Sequence, residues 1–319
     1  MAAAASRTRS TAEYDAFGPW VDPVRSPEDV PRLYQDYPLD LAGSRLVLKV
    51  PRDIARRDAT PDMDLYDHLL VLGTDRFVAL SRREGARYDV RDVPYDRVAA
   101  VRTSVDLLDG RLAVHALAGA PVRVRYSGSS ADVIEELVDL LRLLAWPVGA
   151  SGATGAPGAS GGADPGPGLG KLSRRALGDR EIGLLAAYRE VADREPGLRT
   201  LAAHPRRTVA PARGALRRVA HVLRPMTVQG AVVCSDGREL QVFGRASWLV
   251  RGRTPVHSDS RLVLPLDRLT AVTTRRHPRY PGVAVVTLRA GDTALDLPVP
   301  AGSDAERVLT GLTGARLDA

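Results

Sequence analysis

The sequence predicts a mainly β chain with some α-helix, arranged as two similar small domains. Three observations carry this expectation. Short apolar runs bounded by turn residues fill both halves, as strands require. Each half closes with an amphipathic stripe at helical spacing. One nine-residue phrase also occurs twice, as "VPYDRVAAV" at Val93–Val101 and "LPLDRLTAV" at Leu264–Val272, 171 positions apart.

The chain's 319 residues leave room for two cores, and 44% hydrophobic content with 26% charge is that of a globular protein. No secretory h-region follows "MAAAASRTRS", and no run reaches the apolar length of a membrane span. The lone Cys234 excludes an internal disulfide and every multi-cysteine metal site. A cytoplasmic location is expected. The net charge of +7 is uneven: −4 over residues 1–170, +8 over 171–224 and +3 over 225–319. An electrostatic partner is therefore to be sought in the middle segment.

Residues 1–35 form an arm unlike either repeat. Phe17, Trp20 and Tyr34, with Tyr37 just beyond, among frequent prolines suggest an extended strap pinned by aromatics. It packs across the first domain or occupies a peptide groove in cis. Domain one is expected at 36–147. Strands are read at Ser44–Val50, His68–Gly73 and Arg76–Arg82, then in "YDVRDV" and "DRVAAVRTSV", and at Arg111–Leu117 and Pro121–Tyr126, with turns at Gly73–Asp75, Asp109–Gly110 and Gly119–Pro121. In the last, Val122 and Val124 alternate with Arg123 and Arg125, the pattern of a half-buried strand. The helix after them carries Val133, Ile134, Leu137, Leu141 and Leu144 on one stripe. Ser129 or Ser130 is its N-cap, and Pro147 stops it.

A Gly/Ala/Pro/Ser linker follows at 148–170, a flexible tether averaging about 25 Å end to end. Residues 171–212 read as a basic, partly helical connector, its helix turning Ile182, Leu185, Ala186 and Arg189 to one face. Domain two is expected at 213–319. Its opening, 213–224, fits either an interfacial basic helix or a first strand. A Ser-Asp-Gly hairpin signal at Ser235–Gly237, a longer insertion around "RASWLVRGRTPV" and a capping-box spacing at Ser303 and Glu306 complete it.

In the nonapeptides, Pro94 and Pro265 suit a strand's first residue, which needs no ladder donor. Val98 and Val101, like Leu269 and Val272, stand three apart. Burying both members of each pair calls for a bulge at Ala99–Ala100. Asp96–Arg97 and Asp267–Arg268 then form a solvent-side polar pair.

"TDRFVAL" resembles the second hairpin of bacterial pleckstrin-homology-like and GRAM-like domains, and the two nonapeptides resemble a strand opening of the same family. The resemblance covers about residues 40–146 and, more loosely, 228–315. It implies two strongly bent antiparallel sheets of six or seven strands, each capped by one C-terminal helix.

Catalytic signals are poor. "GASGG" at Gly158–Gly162 matches G-x-S-x-G but lies in the linker, away from any strand or helix. The six histidines lack paired metal spacing, so neither metal nor cofactor is expected. Two basic features could meet an anion. Lys49, Arg52, Arg56 and Arg57 follow the first strand, the position where lipid-binding relatives hold inositol phosphates, although Asp53, Asp58, Asp62, Asp64 and Asp67 crowd the same loop. Arg206, Arg207, Arg217 and Arg218 are the second. Aromatics are missing from this connector beyond Tyr188, which argues against nucleic acid. The expectation is a non-enzymatic scaffold that recognises an unidentified protein partner. Peripheral attachment to anionic lipid at the inner membrane face through 206–224 is the alternative, and an unrecognised enzyme the distant third.

Overall fold

The computed structural model describes residues 10–146, 172, 177–178, 181–212, 225–252 and 257–312. The chain is mainly β, with antiparallel ladders, and divides into two compact units. One is drawn from residues 1–98, 108–112 and 122–148, the other from 99–107, 113–121 and 149–319.

In the first unit, α1 (Ala12–Ala16) leads into β1 (Asp22–Pro23), β2 (Leu46–Pro51), β3 (Tyr66–Leu72), β4 (Arg76–Arg83) and β5 (Arg87–Pro94). These five strands neighbour one another in chain order. The β3–β4 hairpin turns at the expected Gly73–Asp75, where Gly73 N donates to Arg76 O (3.0 Å). Later parts of the chain add the start of β7 (Asp109–Ala116), β8 (Val122–Ser127) and α2 (Ala131–Ala145). Gly110 is required there, because a Cβ would lie 2.4 Å from the Tyr126 ring. The buried face of α2 is Ile134, Leu137, Val138, Leu141 and Ala145, so Val138 and Ala145 replace the expected Val133 and Leu144. Ser130 is the N-cap, yet its Oγ accepts from Val21 N (2.9 Å) instead of from the helix.

The second unit takes in most of β6 (Val98–Asp106) before the chain reaches α3 (Ile182–Arg194), β9 (Arg199–His204) and β10 (Arg207–Val209). Then come β11 (Met226–Val228), β12 (Ala231–Ser235), β13 (Glu239–Gly244), β14 (Leu249–Arg251) and β15 (Ser258–Pro265). The unit closes with β16 (Ala271–His277), β17 (Tyr280–Ala290), β18 (Thr293–Pro300) and α4 (Asp304–Gly311). Strands run β6-β15-β13-β12-β9 in one sheet, β10-β11-β14 in a second and β16-β17-β18 in a third. The apolar core gathers Val233, Val242, Leu264, Val286 and Leu297 with Ala305 and Leu309 of α4. Gly237 turns the β12–β13 hairpin at φ +88°, and Ser303 Oγ accepts from Glu306 N (3.3 Å) at the head of α4.

These units depart from the expected 36–147 and 213–319 boundaries. β6 leaves the first stretch because it forms a six-pair ladder with β15, from Val101↔Val263 to Asp106↔Ser258. The expected connector is not merely a connector, since its residues 199–204 supply β9, which pairs with β12. The α3 face also differs. Leu184, Leu185, Tyr188 and Val191 are buried against Val232, Cys234 and Phe243, while Ile182 is exposed. The insertion around "RASWLVRGRTPV" contributes β14, paired to β11. The linker 148–170, with "GASGG" in it, lies outside the described residues, as do 213–224 and Pro147.

Both nonapeptides adopt one local structure. Pro94 and Pro265 end β5 and β15 rather than opening a strand, and Tyr95–Arg97 and Leu266–Arg268 each form a single 3₁₀ turn. The chain then starts a new sheet at Val98 or just past Leu269. No bulge at Ala99–Ala100 is needed. Val98, Ala99, Ala100 and Val101 are all buried because β6 is covered on both faces, so residues three apart can both be inside. The turn carries Asp96, Arg97, Asp267 and Arg268. Asp96 and Arg97 are exposed, whereas Arg268 is half-buried and 3.5 Å from Asp267. Leu269 is buried and Val272 half-buried.

Candidate functional site

The first basic cluster does not converge. Lys49 Nζ sits 5.3 Å from the centre of the Tyr66 ring and 3.4 Å from Asp29 O. Arg52 Nη1 donates to Asp64 O (3.2 Å). Arg56 donates to Tyr14 O and to Phe17 O (2.7 Å), with its guanidinium 4.2 Å above the Tyr14 ring. Arg57 extends into solvent with Asp58 3.8 Å away. Three of the four thus hold their own unit together. Arg56 and Lys49 fasten the N-terminal arm, and Arg52 braces the aspartate-rich loop.

That arm packs in cis. Phe17, Val24, Val30, Leu33 and Tyr34 join Tyr66, Leu69, Val78 and Leu80 in one core, and Tyr34 OH donates to Asp67 O (2.9 Å). Trp20 is the exception among its aromatics, at 57% exposed.

The second basic cluster is split. Arg217 and Arg218 lie outside the described residues. Arg206 Nε donates to Glu181 Oε1 (2.7 Å), inside a buried network. Glu181 is fully buried and its Oε2 also accepts from Arg245 Nη2 (2.7 Å) and Nε (3.1 Å). Arg245, itself buried, also donates to Ser258 O (2.7 Å). Glu181 is the N-cap of α3 and Glu195 its C-cap, and the other end is clamped in the same manner. Glu195 accepts from Arg261 Nη2 (2.7 Å) and from Gln241 Nε2 (2.6 Å). Two carboxylates, one at each end of the helix, pin α3 to the sheet.

Sequence reasoning missed Glu181 and Arg245. They stand 64 positions apart in no motif, so only the fold brings them together.

Arg207, in contrast, is exposed and borders a small cavity. Its walls are His204 and Pro205 at the end of β9, Arg207 at the start of β10, and Pro300–Ser303 between β18 and α4, enclosing about 160 Å³. His204 is buried, and its Nδ1 lies 3.2 Å from Pro205 O. That contact makes Nδ1 the protonated nitrogen and Nε2 the lone-pair acceptor. Nε2 is buried and meets no hydrogen-bond donor in the protein.

Burial pushes His204 down to about 4 from 6.5, so the ring is neutral at physiological pH. A prediction follows from this depressed value. Below 6.5 the unfolded chain binds a proton that the folded chain refuses until about 4. The stabilisation is therefore complete above 6.5 and is lost as pH falls through that window. Urea unfolding at stepped pH should show this loss, and His204→Gln should reduce it. His68 and His277 are depressed as well, by burial first, so the difference between variant and wild type is the quantity to read. An unchanged slope in His204→Gln would place the titration elsewhere.

Other candidates carry less. Burial lifts the Cys234 thiol to about 12, which leaves no thiolate for chemistry at neutral pH. His68 Nδ1 lies 2.9 Å from Ser81 Oγ, a structural contact between β3 and β4. Among the described residues, no group of three or more His, Cys, Asp or Glu could hold a metal ion, and no helix is long and apolar enough to cross a membrane. Comparisons with protein families, curated proteins and solved structures found no match to this chain.

Proposed function

We propose that the chain is a non-enzymatic binding protein of two pleckstrin-homology-like modules that recognises a protein partner. The module reading is supported by parallel element order. The run β2-β3-β4-β5, a 3₁₀ corner, β6, β7, β8 and α2 has its counterpart in β9-β12-β13-β15, a 3₁₀ corner, β16, β17, β18 and α4. The corners keep a constant offset of 171, as do β5 and β15. On this reading β10, β11 and β14 are insertions into the second module.

The observation that carries the partner class is the cavity beside α4. Its 160 Å³ is smaller than the roughly 300–1,000 Å³ of sites for drug-sized ligands, and suits a single side chain. Arg207 at its rim offers donors, so the complementary group is an acceptor, as a side-chain carboxylate or carboxamide oxygen is. Attachment to a membrane draws less support, because Lys49, Arg52 and Arg56 are engaged within their own unit.

Full-length chain used as bait in extract of its native host, with membrane and soluble fractions kept apart, tests this. We expect a defined soluble protein on the wild type, lost from Arg207→Glu, and no retention on anionic vesicles. Each basic residue near an anionic surface contributes about 1 kcal/mol and is screened by salt. Salt-resistant vesicle binding would overturn the reading and favour attachment through 206–224.

A further inference from the structure

The β6–β15 ladder joins two strand types that occur twice in this chain. β15 is the last strand before a corner, and its equivalent at the 171 offset is β5, with identical length. β6 is the first strand after a corner, and its equivalent is β16. Inside the chain, one after-corner strand has therefore paired with one before-corner strand. The remaining two, β5 and β16, each end their sheet among the described residues. Both are long and exposed. Asp89, Val90 and Asp92 on β5 face solvent, as do Thr273, Thr274, Arg275 and Arg276 on β16. Edges of that length are ready templates for another strand.

We propose that β5 of one molecule pairs antiparallel with β16 of a second copy of this chain, repeating between molecules the ladder that β15 and β6 make within one. Moving the internal register by 171 gives the intermolecular one. Ser260↔Ser104 becomes Asp89↔Arg275, Arg261↔Thr103 becomes Val90↔Thr274, and Leu262↔Arg102 becomes Arg91↔Thr273. The Asp89–Arg275 pair sets a carboxylate directly opposite a guanidinium, the favourable case for cross-strand neighbours. Val90, 46% exposed, meets the methyl of Thr274 on the other face. At present Asp89 pairs with Arg83 and Arg275 with Asp296 (3.0 Å), both at the surface, where exchange of partners costs little. The contact uses two different edges, so it is heterologous. It adds copies in a line or closes a ring.

Sedimentation velocity of the full chain tests this over a range of concentrations. Wild type should associate as concentration rises. Asp89→Arg and Arg275→Asp should each weaken association roughly tenfold or more, because like charges then stand opposite. Both substitutions are at exposed positions, so each variant should melt as wild type does. An equimolar mixture of the two variants should associate again, since the intact β5 of one meets the intact β16 of the other and the two substituted edges also set opposite charges against each other. The double variant in one chain should associate again, its charges reversed.

A wild type that stays monomeric at every concentration overturns the proposal. So does a mixture that stays monomeric. Loss in Asp89→Arg alone, with Arg275→Asp unaffected, would show β5 pairing with β5 and overturn the head-to-tail joint.

Discussion

Replacing Glu181 by alanine should destabilise the protein by about 3–5 kcal/mol, because Arg245 would be left as a buried charge without its carboxylate. Glu181 takes two guanidinium nitrogens of Arg245, which also reaches the Ser258 carbonyl. Arg206→Ala should cost much less. It removes one donor from Oε1 while leaving the Arg245 pair intact, and Arg206 already has some access to water. Urea unfolding monitored by circular dichroism measures both. Equal losses from the two would mean that the carboxylate, not the buried guanidinium, sets the penalty. A loss below about 1 kcal/mol for Glu181→Ala would mean that water reaches the network, as it does for surface ion pairs. The same physics predicts that an apolar set replacing Glu181, Arg206 and Arg245 together, at similar volume, need not destabilise. The polar network would then serve to fix where α3 docks rather than to add stability.

The second large effect is expected at the buried faces of the closing helices. Leu137 of α2 and Leu309 of α4 are fully buried, and aspartate at either position would bring an unpaired charge into an apolar wall. Truncating a buried leucine costs about 2–5 kcal/mol, and the charge adds to it. The sum approaches the whole stability of a typical domain, about 5–15 kcal/mol. Each variant should therefore lose its cooperative melting transition. Leu143→Asp, at an exposed position of α2, is the control and should melt as wild type does. Soluble, natively melting Leu137→Asp would mean that α2 does not pack on its unit.

The sequence by itself determined most of the local structure. Period-two and continuous apolar runs located the strands of the first half within a residue or two, because side-chain alternation is a property of the strand itself. Gly73–Asp75 and Ser235–Gly237 turned where their composition said, and Ser303 capped its helix, since these depend on bonds spanning only a few residues. The repeated nonapeptide was legible as a shared folding requirement, although its form was not. Its prolines end strands rather than opening them, and its buried valines need no bulge.

What only the tertiary structure decided are the partners of those elements. No local pattern says that β6 will pair with β15, some 160 residues away. That choice moves the unit boundary. Nor does composition distinguish a basic residue that faces solvent from one that donates to a nearby carbonyl. Lys49, Arg52 and Arg56, weighed as an anion site in an aspartate-crowded loop, are internal fasteners, while Glu181 and Arg245, which no motif singles out, are buried together. Ladder pairing and charge burial are both set by which surfaces meet across long sequence separations. A chain read one window at a time carries the propensity for each strand and the charge of each residue, but not the environment that determines how either is used.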